Sequence, residues 1–214
     1  AMADIDKRDD GVVEVIEVKL NNRKTKKLGE KNPKEVKKEE SVEIIDKKIE
    51  KLIREALANS KRKDHGFKLS EEAQLISKNF NANKGRLPSP VIRGNVVLGF
   101  GKQPHPIVKT ATIQSNGVRI RTSSDVEART IFDGQVYSII VSKNNSRTVL
   151  IQHGNFFTVY KNLSQTYVSK GDKLKTKEVI GKIATDPLNG QTILSFSIFY
   201  NGVPQNPRTW IYKL

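Results

Sequence analysis

Histidine, cysteine and serine are the residues that most often carry metal or nucleophilic chemistry, and here their spacing favours neither. The chain of 214 residues has three histidines and no cysteine. His65, His105 and His153 are far apart in the sequence, and no two of them have a metal-ligand spacing such as i, i+4 on a helix. Ser115 and Ser195 do not lie in the strand–turn–helix elbow that exposes a nucleophilic serine. The sequence therefore predicts neither a metal site nor a catalytic triad from spacing alone.

Positive charge is concentrated in the second part of the chain. Residues 1–90 contain 22 Lys+Arg and 17 Asp+Glu, whereas residues 91–214 contain 16 and 6. A basic folded domain favours anionic partners, such as nucleic acid, an acidic protein face or the anionic polymers of a cell wall, although it can also be basic without a specific ligand. Zinc-finger spacing, aromatic RNA-binding motifs and a compact basic helix are missing from the sequence, so we expect no nucleic-acid partner.

The first 84 residues predict a charged segment followed by helices. Residues 1–41 are rich in Lys and Glu, which indicates a poorly ordered segment. Residues 42–60 predict a helix, either the end of a coiled coil or a helix docked on the next domain, within a helical regulatory segment at 42–84. A second short helix is predicted over residues 70–80, with Ser70 as its N-cap. The first helix has an apolar seam of Ile45, Ile49, Leu52 and Ala56.

A helix of this length is marginal on its own, so the seam should pack against another surface. The candidate surfaces are the second helix, a second chain and the domain that follows.

The domain that follows is predicted to span residues 85–214 and to be built of β-strands, because the hydrophobic period changes to two from residue 91. Short β-rich runs alternate with turn signals such as FDG, KNNS, HGN and PLNG. Such a pattern is typical of an antiparallel β-sandwich or barrel-like domain.

Six motifs in this region occur in a specific order. They are GFGKQPHPI (99–107), NGVRI (116–120), FDGQVYSI (132–139), VLIQHGNFFTVYKNLS (149–164), VSKGDKLKTKEVIGKI (168–183) and LSFSIFYNGVPQNPRTWI (194–211). Together they resemble the LytM-type, lysostaphin-like peptidase domains. The preceding NKGRLPSPV (83–91), behind a charged helix, narrows the resemblance to EnvC-like murein hydrolase activators. The expected fold is mainly β, a LytM-type antiparallel sandwich preceded by a charged helical segment.

The resemblance also identifies where active members hold zinc. Their ligands are the His and Asp of an H-x-G-x-D motif and the second His of a closing H-x-H, with two more histidines assisting. The ligand positions correspond to Ser115, Arg119 and Ser195, and the assisting positions to Asn162 and Ile193. None of the five keeps the family residue. A guanidinium stays protonated near neutral pH, so Arg119 stands where a carboxylate should neutralise the metal.

The resemblance therefore implies that the five positions are vestigial, that no metal or other cofactor is bound, and that the protein is not a peptidase. His105 and His153 match positions that do not bind metal. Arg119 is either neutral drift in a dead pocket or an anchor for a partner's carboxylate. By strand alternation, Tyr160 and Phe199 either flank the same groove or pack in the core. The expected partner-binding groove consists of Asn116, Arg119, Tyr160, Asn162, Ser195 and Phe199.

By the same resemblance, we expect a non-catalytic activator of a peptidoglycan (N-acetylmuramoyl-L-alanine) amidase, which acts in cell-wall remodelling and daughter-cell separation. Its location would be the periplasm or cell envelope of a Gram-negative bacterium, with the export signal outside this sequence. An FtsEX-like membrane complex would act through the upstream coiled coil, and peptidoglycan is a further expected partner. The helix at 42–60 would cover the groove, with KRKDHG (61–66) as its hinge. The alternative is a peptidoglycan-binding module without an enzyme partner.

Overall fold

The computed structural model describes residues 33–62, 71–104 and 112–214, and the side chains of the first helix from residue 44 to residue 59. The two helices are α1 (Pro33–Arg62) and α2 (Glu71–Ala82). A short 3-10 helix follows near the C-terminus at Pro207–Thr209. Within the described residues, the strands are β1 (Asn95–Leu98), β2 (Gly101–Pro104), β3 (Thr112–Ser115), β4 (Val118–Thr122), β5 (Glu127–Arg129), β6 (Gly134–Val141), β7 (Arg147–His153), β8 (Phe156–Thr166), β9 (Lys173–Leu174), β10 (Val179–Ile183), β11 (Thr192–Tyr200) and β12 (Val203–Gln205).

One antiparallel sheet organises the molecule. Its strand order is β1-β4-β11-β8-β7-β6-β9, with β10 pairing to β8 and β5, and β12 to β11. Each neighbouring pair along this order is antiparallel. The strands β2 and β3 form a separate hairpin. The prediction of a mainly β, antiparallel domain is confirmed.

The central strands are covered on both faces. Side chains alternate between the two faces of a strand, so a strand with one covered face shows alternating burial. Residues 156–160 of β8 and 196–199 of β11 are instead buried at consecutive positions. One face packs into the main core, which contains Tyr160 and Phe196. The other face packs against α1.

The helix α1 lies across the second face of the sheet. Its Ile49, Ile53 and Ala56 are buried, and Ile45 and Leu52 pack partly buried beside them. Of the three surfaces considered for the seam, the β-domain is the one it contacts. The sheet side chains under the helix are Ile140, Leu150, Phe157, Val159 and Phe199.

The bounds predicted for α1 were too narrow. The helix begins at Pro33, so it includes residues 33–41 as well as the predicted residues 42–60. Proline suits the first turn of a helix, where its missing N–H has no intrahelical acceptor. Residues 61 and 62 of the expected hinge are also helical, and residues 63–66, with His65, lie outside the described residues. None of the described helices is long and apolar enough to cross a membrane.

The helix α2 packs as part of the β-domain. Phe80 is fully buried, and its ring stacks on Phe156 with centroids 4.5 Å apart and meets Trp210 at 5.5 Å. The expected boundary between residues 84 and 85 therefore divides one core, and we place it before α2. The proposed N-cap Ser70 lies outside the described residues.

Candidate functional site

Three polar side chains form a row across the sheet, and two of them stand at the metal-ligand positions that the sequence resemblance predicts. Ser195 on β11 lies opposite Arg119 on β4 and opposite Lys161 on β8. Residues that are directly opposite in an antiparallel pair point to the same face. Arg119 is exposed, whereas Ser195 and Lys161 are half-buried. The fold thus brings the sequence-predicted Arg119 and Ser195 together and adds a second cation beside them.

The first ligand position is held in a local turn. Ser115 ends β3, and its hydroxyl donates to the Gly117 carbonyl at 2.9 Å. Gly117 allows this turn to lie close against β11, because a Cβ at residue 117 would be only 2.2 Å from the Phe196 carbonyl oxygen. The next side chain, Asn116, lines the junction between the sheet and α1 together with Lys161.

The two assisting positions have structural contacts. Asn162 adopts a left-handed backbone with φ 72°. Its side-chain amide donates to the carbonyl oxygens of Ile193 at 2.7 Å and Ala184 at 3.3 Å. These bonds tie β8 to β11 and to the residue that follows β10. The side chain of Ile193 is aliphatic and lies opposite Arg121.

These side chains do not fit a zinc ion. Protein zinc sites use thiolate, imidazole and carboxylate donors, whereas the ligand positions here offer two neutral hydroxyls and a guanidinium. Arg119 and Lys161 lie on the strands at either side of Ser195. Two positively charged side chains so close to the site would repel a zinc dication. Among the described residues, no cluster of three His, Cys, Asp or Glu side chains could hold a metal.

Lys161 and its partner Asp46 were not identified from the sequence. The Lys161 ammonium donates to the Asp46 carboxylate of α1 at 2.5 Å, so the helix places a carboxylate one strand away from Ser195. The cavity left here between α1 and the sheet is about 10 Å³, and Asn116 and Phe199 also line it. That is about the space that a single water molecule needs. The helix therefore closes this end of the groove.

The placement of Tyr160 in the groove was wrong. Tyr160 lies opposite Phe196, in the main core and on the face away from α1. Its hydroxyl accepts a hydrogen bond from the Ile131 amide at 3.1 Å, and complete burial raises the pKa of Tyr160 to about 12. Phe199 does lie on the groove side, but it is buried beneath α1.

His153 is held by hydrogen bonds at both ring nitrogens. Nδ1 lies 2.7 Å from the Asp133 carbonyl oxygen, and Nε2 lies 2.8 Å from the Thr158 hydroxyl. A carbonyl only accepts, so Nδ1 carries the proton and Nε2 accepts from Thr158. Burial lowers the pKa of His153 to about 4, so the ring is neutral near pH 7. The expected turn and packing role agrees with these contacts. His105 lies outside the described residues.

Comparison with known proteins identifies the class of this domain. The profile of Peptidase family M23 matches residues 114–207. Helicobacter pylori Csd3 is similar in structure, with 24% identity and a TM-score of 0.50 over 60% of this chain and 35% of Csd3. The β-domain is thus similar to the LytM/lysostaphin-type domains of peptidase family M23.

Two further structures share the fold. SpoIIQ, in the SpoIIQ–SpoIIIAH pore-forming complex, has 22% identity and a TM-score of 0.51, over 61% of this chain and 93% of that chain. A zinc-containing peptidase from Vibrio cholerae has 22% identity and a TM-score of 0.51, over 61% of this chain and 40% of the peptidase. In the comparison with Csd3, the matched part of this chain spans only about a third of the length of Csd3. No curated protein gives a significant match.

Proposed function

We propose that this protein is a non-catalytic activator of a peptidoglycan (N-acetylmuramoyl-L-alanine) amidase, acting in cell-wall remodelling and daughter-cell separation. The observation that carries the proposal is that the groove face of an M23 sheet already holds an amphipathic helix. Three buried aliphatic residues of α1 and the carboxylate of Asp46 occupy it. A surface that binds one such helix can bind another of the same chemistry.

The side chains of the groove support the binding of a partner protein and not the cleavage of a peptide. Its row of Arg119, Ser195 and Lys161 does not fit zinc, and without the metal there is no activated water. SpoIIQ, an M23-fold protein, is seen in a complex with SpoIIIAH, which supports a partner-binding use of this fold. On this proposal, elemental analysis of the purified protein finds no stoichiometric zinc, and about one zinc per chain would contradict it.

Activation requires only a difference in affinity. If the groove binds the open form of the amidase more tightly than the closed form, binding shifts the amidase towards the open form. The amidase segment would need an aliphatic stripe for the surface around Phe157 and Phe199 and a carboxylate for Lys161. These are the features that α1 presents to the same surface.

Since α1 occupies the groove, it competes with the amidase and regulates the protein. The fraction of chains with a free groove limits the apparent affinity. An FtsEX-like membrane complex, acting on the segment upstream of α1, would withdraw the helix. In this proposal the protein works in the periplasm or cell envelope of a Gram-negative bacterium.

The test is a substitution that releases α1 from the full-length chain. Ile53 of α1 is fully buried between the helix and the sheet, and Ile53→Asp would place a charge there at a cost of several kcal/mol. Ala58 lies on the exposed side of the same helix, so Ala58→Asp is the matched control. Release of dye from labelled peptidoglycan by the amidase should rise several-fold with Ile53→Asp and stay unchanged with the control. A folded Ile53→Asp protein that activates no better than the control would refute competition by α1.

A second candidate function is peptidoglycan binding without an enzyme partner. The exposed Arg119 and Arg121 of β4 favour it, because they lie two residues apart on one face and form a basic edge. Sedimentation with purified peptidoglycan, set beside a pull-down of the amidase at moderate salt, distinguishes the two functions. Sedimentation without amidase capture would favour the second.

A further inference from the structure

A second concave site lies away from the groove. A cleft of about 260 Å³ opens between α2 and the place where the start of β8 pairs with the end of β11. It is on the other face of the sheet and five residues along the strands from the Ser195–Lys161 pair, roughly 17 Å. The cleft is lined by Gln74, Ser77, Lys78, Asn81, Asn155, Phe156 and Tyr200.

One wall of the cleft is a polar face of α2. Gln74, Ser77, Lys78 and Asn81 are spaced by 3, 1 and 3 residues, which places them on one side of a helix. Asn155, in the turn before β8, adds a third side-chain amide to those of Gln74 and Asn81. Within the described residues, no hydrogen bond engages the side-chain amides of Asn81 and Asn155. The wall thus offers donors and acceptors together with one ammonium group.

The opposite wall is an aromatic ring supported from below. Tyr200 is 41% exposed and stacks on Phe156 with centroids 4.5 Å apart and an interplanar angle of 30°. Phe156 in turn stacks on Phe80 at 4.5 Å and 19°. The exposed tyrosine therefore ends a column of buried rings that fixes its orientation.

The width of the cleft is fixed by a glycine in the H-G-N turn. Gly154 has φ +68°, and a Cβ there would lie 2.3 Å from the Ala73 carbonyl oxygen and 2.7 Å from the Ser77 Cβ. The backbone of α2 thus packs directly against Gly154, next to Ser77, whose side chain lines the cleft. A site of fixed width avoids the ordering cost of ligand binding.

From this arrangement we propose that the cleft binds an acidic saccharide, an activity independent of the amidase groove. A pyranose ring has an apolar C–H face, which packs on the electron-rich face of Tyr200. Its hydroxyl and acetamido groups both donate and accept, as do the amides of Gln74, Asn81 and Asn155. Lys78 pairs with a carboxylate on the sugar.

The experiment titrates the full-length chain with saccharide probes. The acidic probe is the N-acetylglucosamine–N-acetylmuramic acid disaccharide, and the neutral probe is the N-acetylglucosamine tetramer. A glucuronate-containing disaccharide shows whether the carboxylate is recognised on the lactyl group of a wall sugar or on the ring of another glycan. Binding of either acidic probe should shift the NMR signals of the Asn81 and Asn155 side-chain amides.

Variants assign the binding energy to the cleft. Tyr200→Ala should raise the Kd of the acidic probe about tenfold, because the stacking surface is lost. Tyr167→Ala is the control, because Tyr167 is 52% exposed and lies beyond the far end of β8. Lys78→Gln should raise the Kd of the acidic probe about threefold and leave that of the neutral probe unchanged.

Three results would overturn the proposal. They are the absence of acidic-probe binding, shifts confined to the Arg119 side of the sheet, and an unchanged Kd in a folded Tyr200→Ala protein. Circular dichroism and thermal melting establish that each variant is folded. None of these results affects the proposed amidase function, which uses the other face of the sheet.

Discussion

At the residue scale, the site differs from its expected form because of one backbone conformation. Tyr160 and Asn162 are two residues apart, and an uninterrupted strand would place them on the same face. Asn162 has φ 72°, and the pairing of β7 with β8 shifts register at this point. Lys161 is one residue from Tyr160 and therefore lies on the opposite face, where it is paired with Ser195. Motif order identified Ser115, Arg119 and Ser195, but it carries no information on a bulge of this kind.

Arg119, next to Ser195 on the groove face, is a second cation on which we expect the amidase contact to depend. It is exposed, so Arg119→Glu should leave the melting temperature unchanged. An interface anchor contributes about 2 kcal/mol, which predicts a roughly 30-fold weaker amidase affinity. Lys170→Glu is a matched charge change on an exposed turn beyond β8. Equal amidase affinity for the Arg119→Glu and Lys170→Glu proteins would argue against the groove as the binding surface.

His153 should make the stability of the fold depend on pH. Its folded pKa, about 4, lies below the ordinary value of 6.5, so the unfolded chain binds the extra proton first as the pH falls. Stability is therefore unaffected by His153 above about pH 6.5 and declines between 6.5 and 4, by up to about 3 kcal/mol.

Urea unfolding at pH 7 and at pH 4.5 measures this loss. His153→Gln keeps an acceptor and a donor but does not titrate, so it should lose less stability than the original protein over the same interval. The comparison subtracts the contribution of the carboxylates, which titrate in both proteins. Equal losses in the two proteins would show that His153 does not cause the pH dependence.

At the element scale, the helices were predicted by periodicity, but their extent and neighbours were not. The seam of Ile45, Ile49, Leu52 and Ala56 does face the sheet, yet Ile53, which lies outside that seam, is fully buried as well. A sheet is broader than a partner helix, so it covers a wider stripe than a heptad seam. The core position of Phe80 is a long-range contact, and short-range spacing does not predict it.

The close packing of α2 predicts an unusual cost at Gly154. Gly154→Ala adds the strain of a positive φ and also a clash with the Ala73 carbonyl oxygen. Gly171→Ala is the control, because Gly171 has φ +97° but its Cβ would meet nothing within 4 Å. We expect a loss of about 1 kcal/mol for the control and about 2 kcal/mol or more beyond that for Gly154→Ala. Similar unfolding free energies for the two variants would mean that α2 moves away from the added Cβ without a loss of stability.

At the scale of the whole molecule, the sheet separates two surfaces. One face carries the groove with α1, and the other carries the core, α2 and the saccharide cleft. The order of the motifs predicted this M23 fold, because turn glycines and alternating strands are local features of a sequence. The contact between α1 and the groove is not local: Asp46 and Lys161 are 115 residues apart. Only the structure identifies it.

We propose that α1 and the amidase compete for one groove, and a reversible cross-link between α1 and the sheet tests this competition. The chain has no cysteine, so Asp46→Cys with Lys161→Cys provides two unique thiols where the ion pair lies. A short bis-maleimide linker with a cleavable disulfide would fix α1 on the sheet. Fixing should abolish amidase activation, and reduction should restore it to the level of the unlinked double variant. A linked protein that activates the amidase as strongly as the unlinked one would show that α1 and the amidase do not compete for the groove.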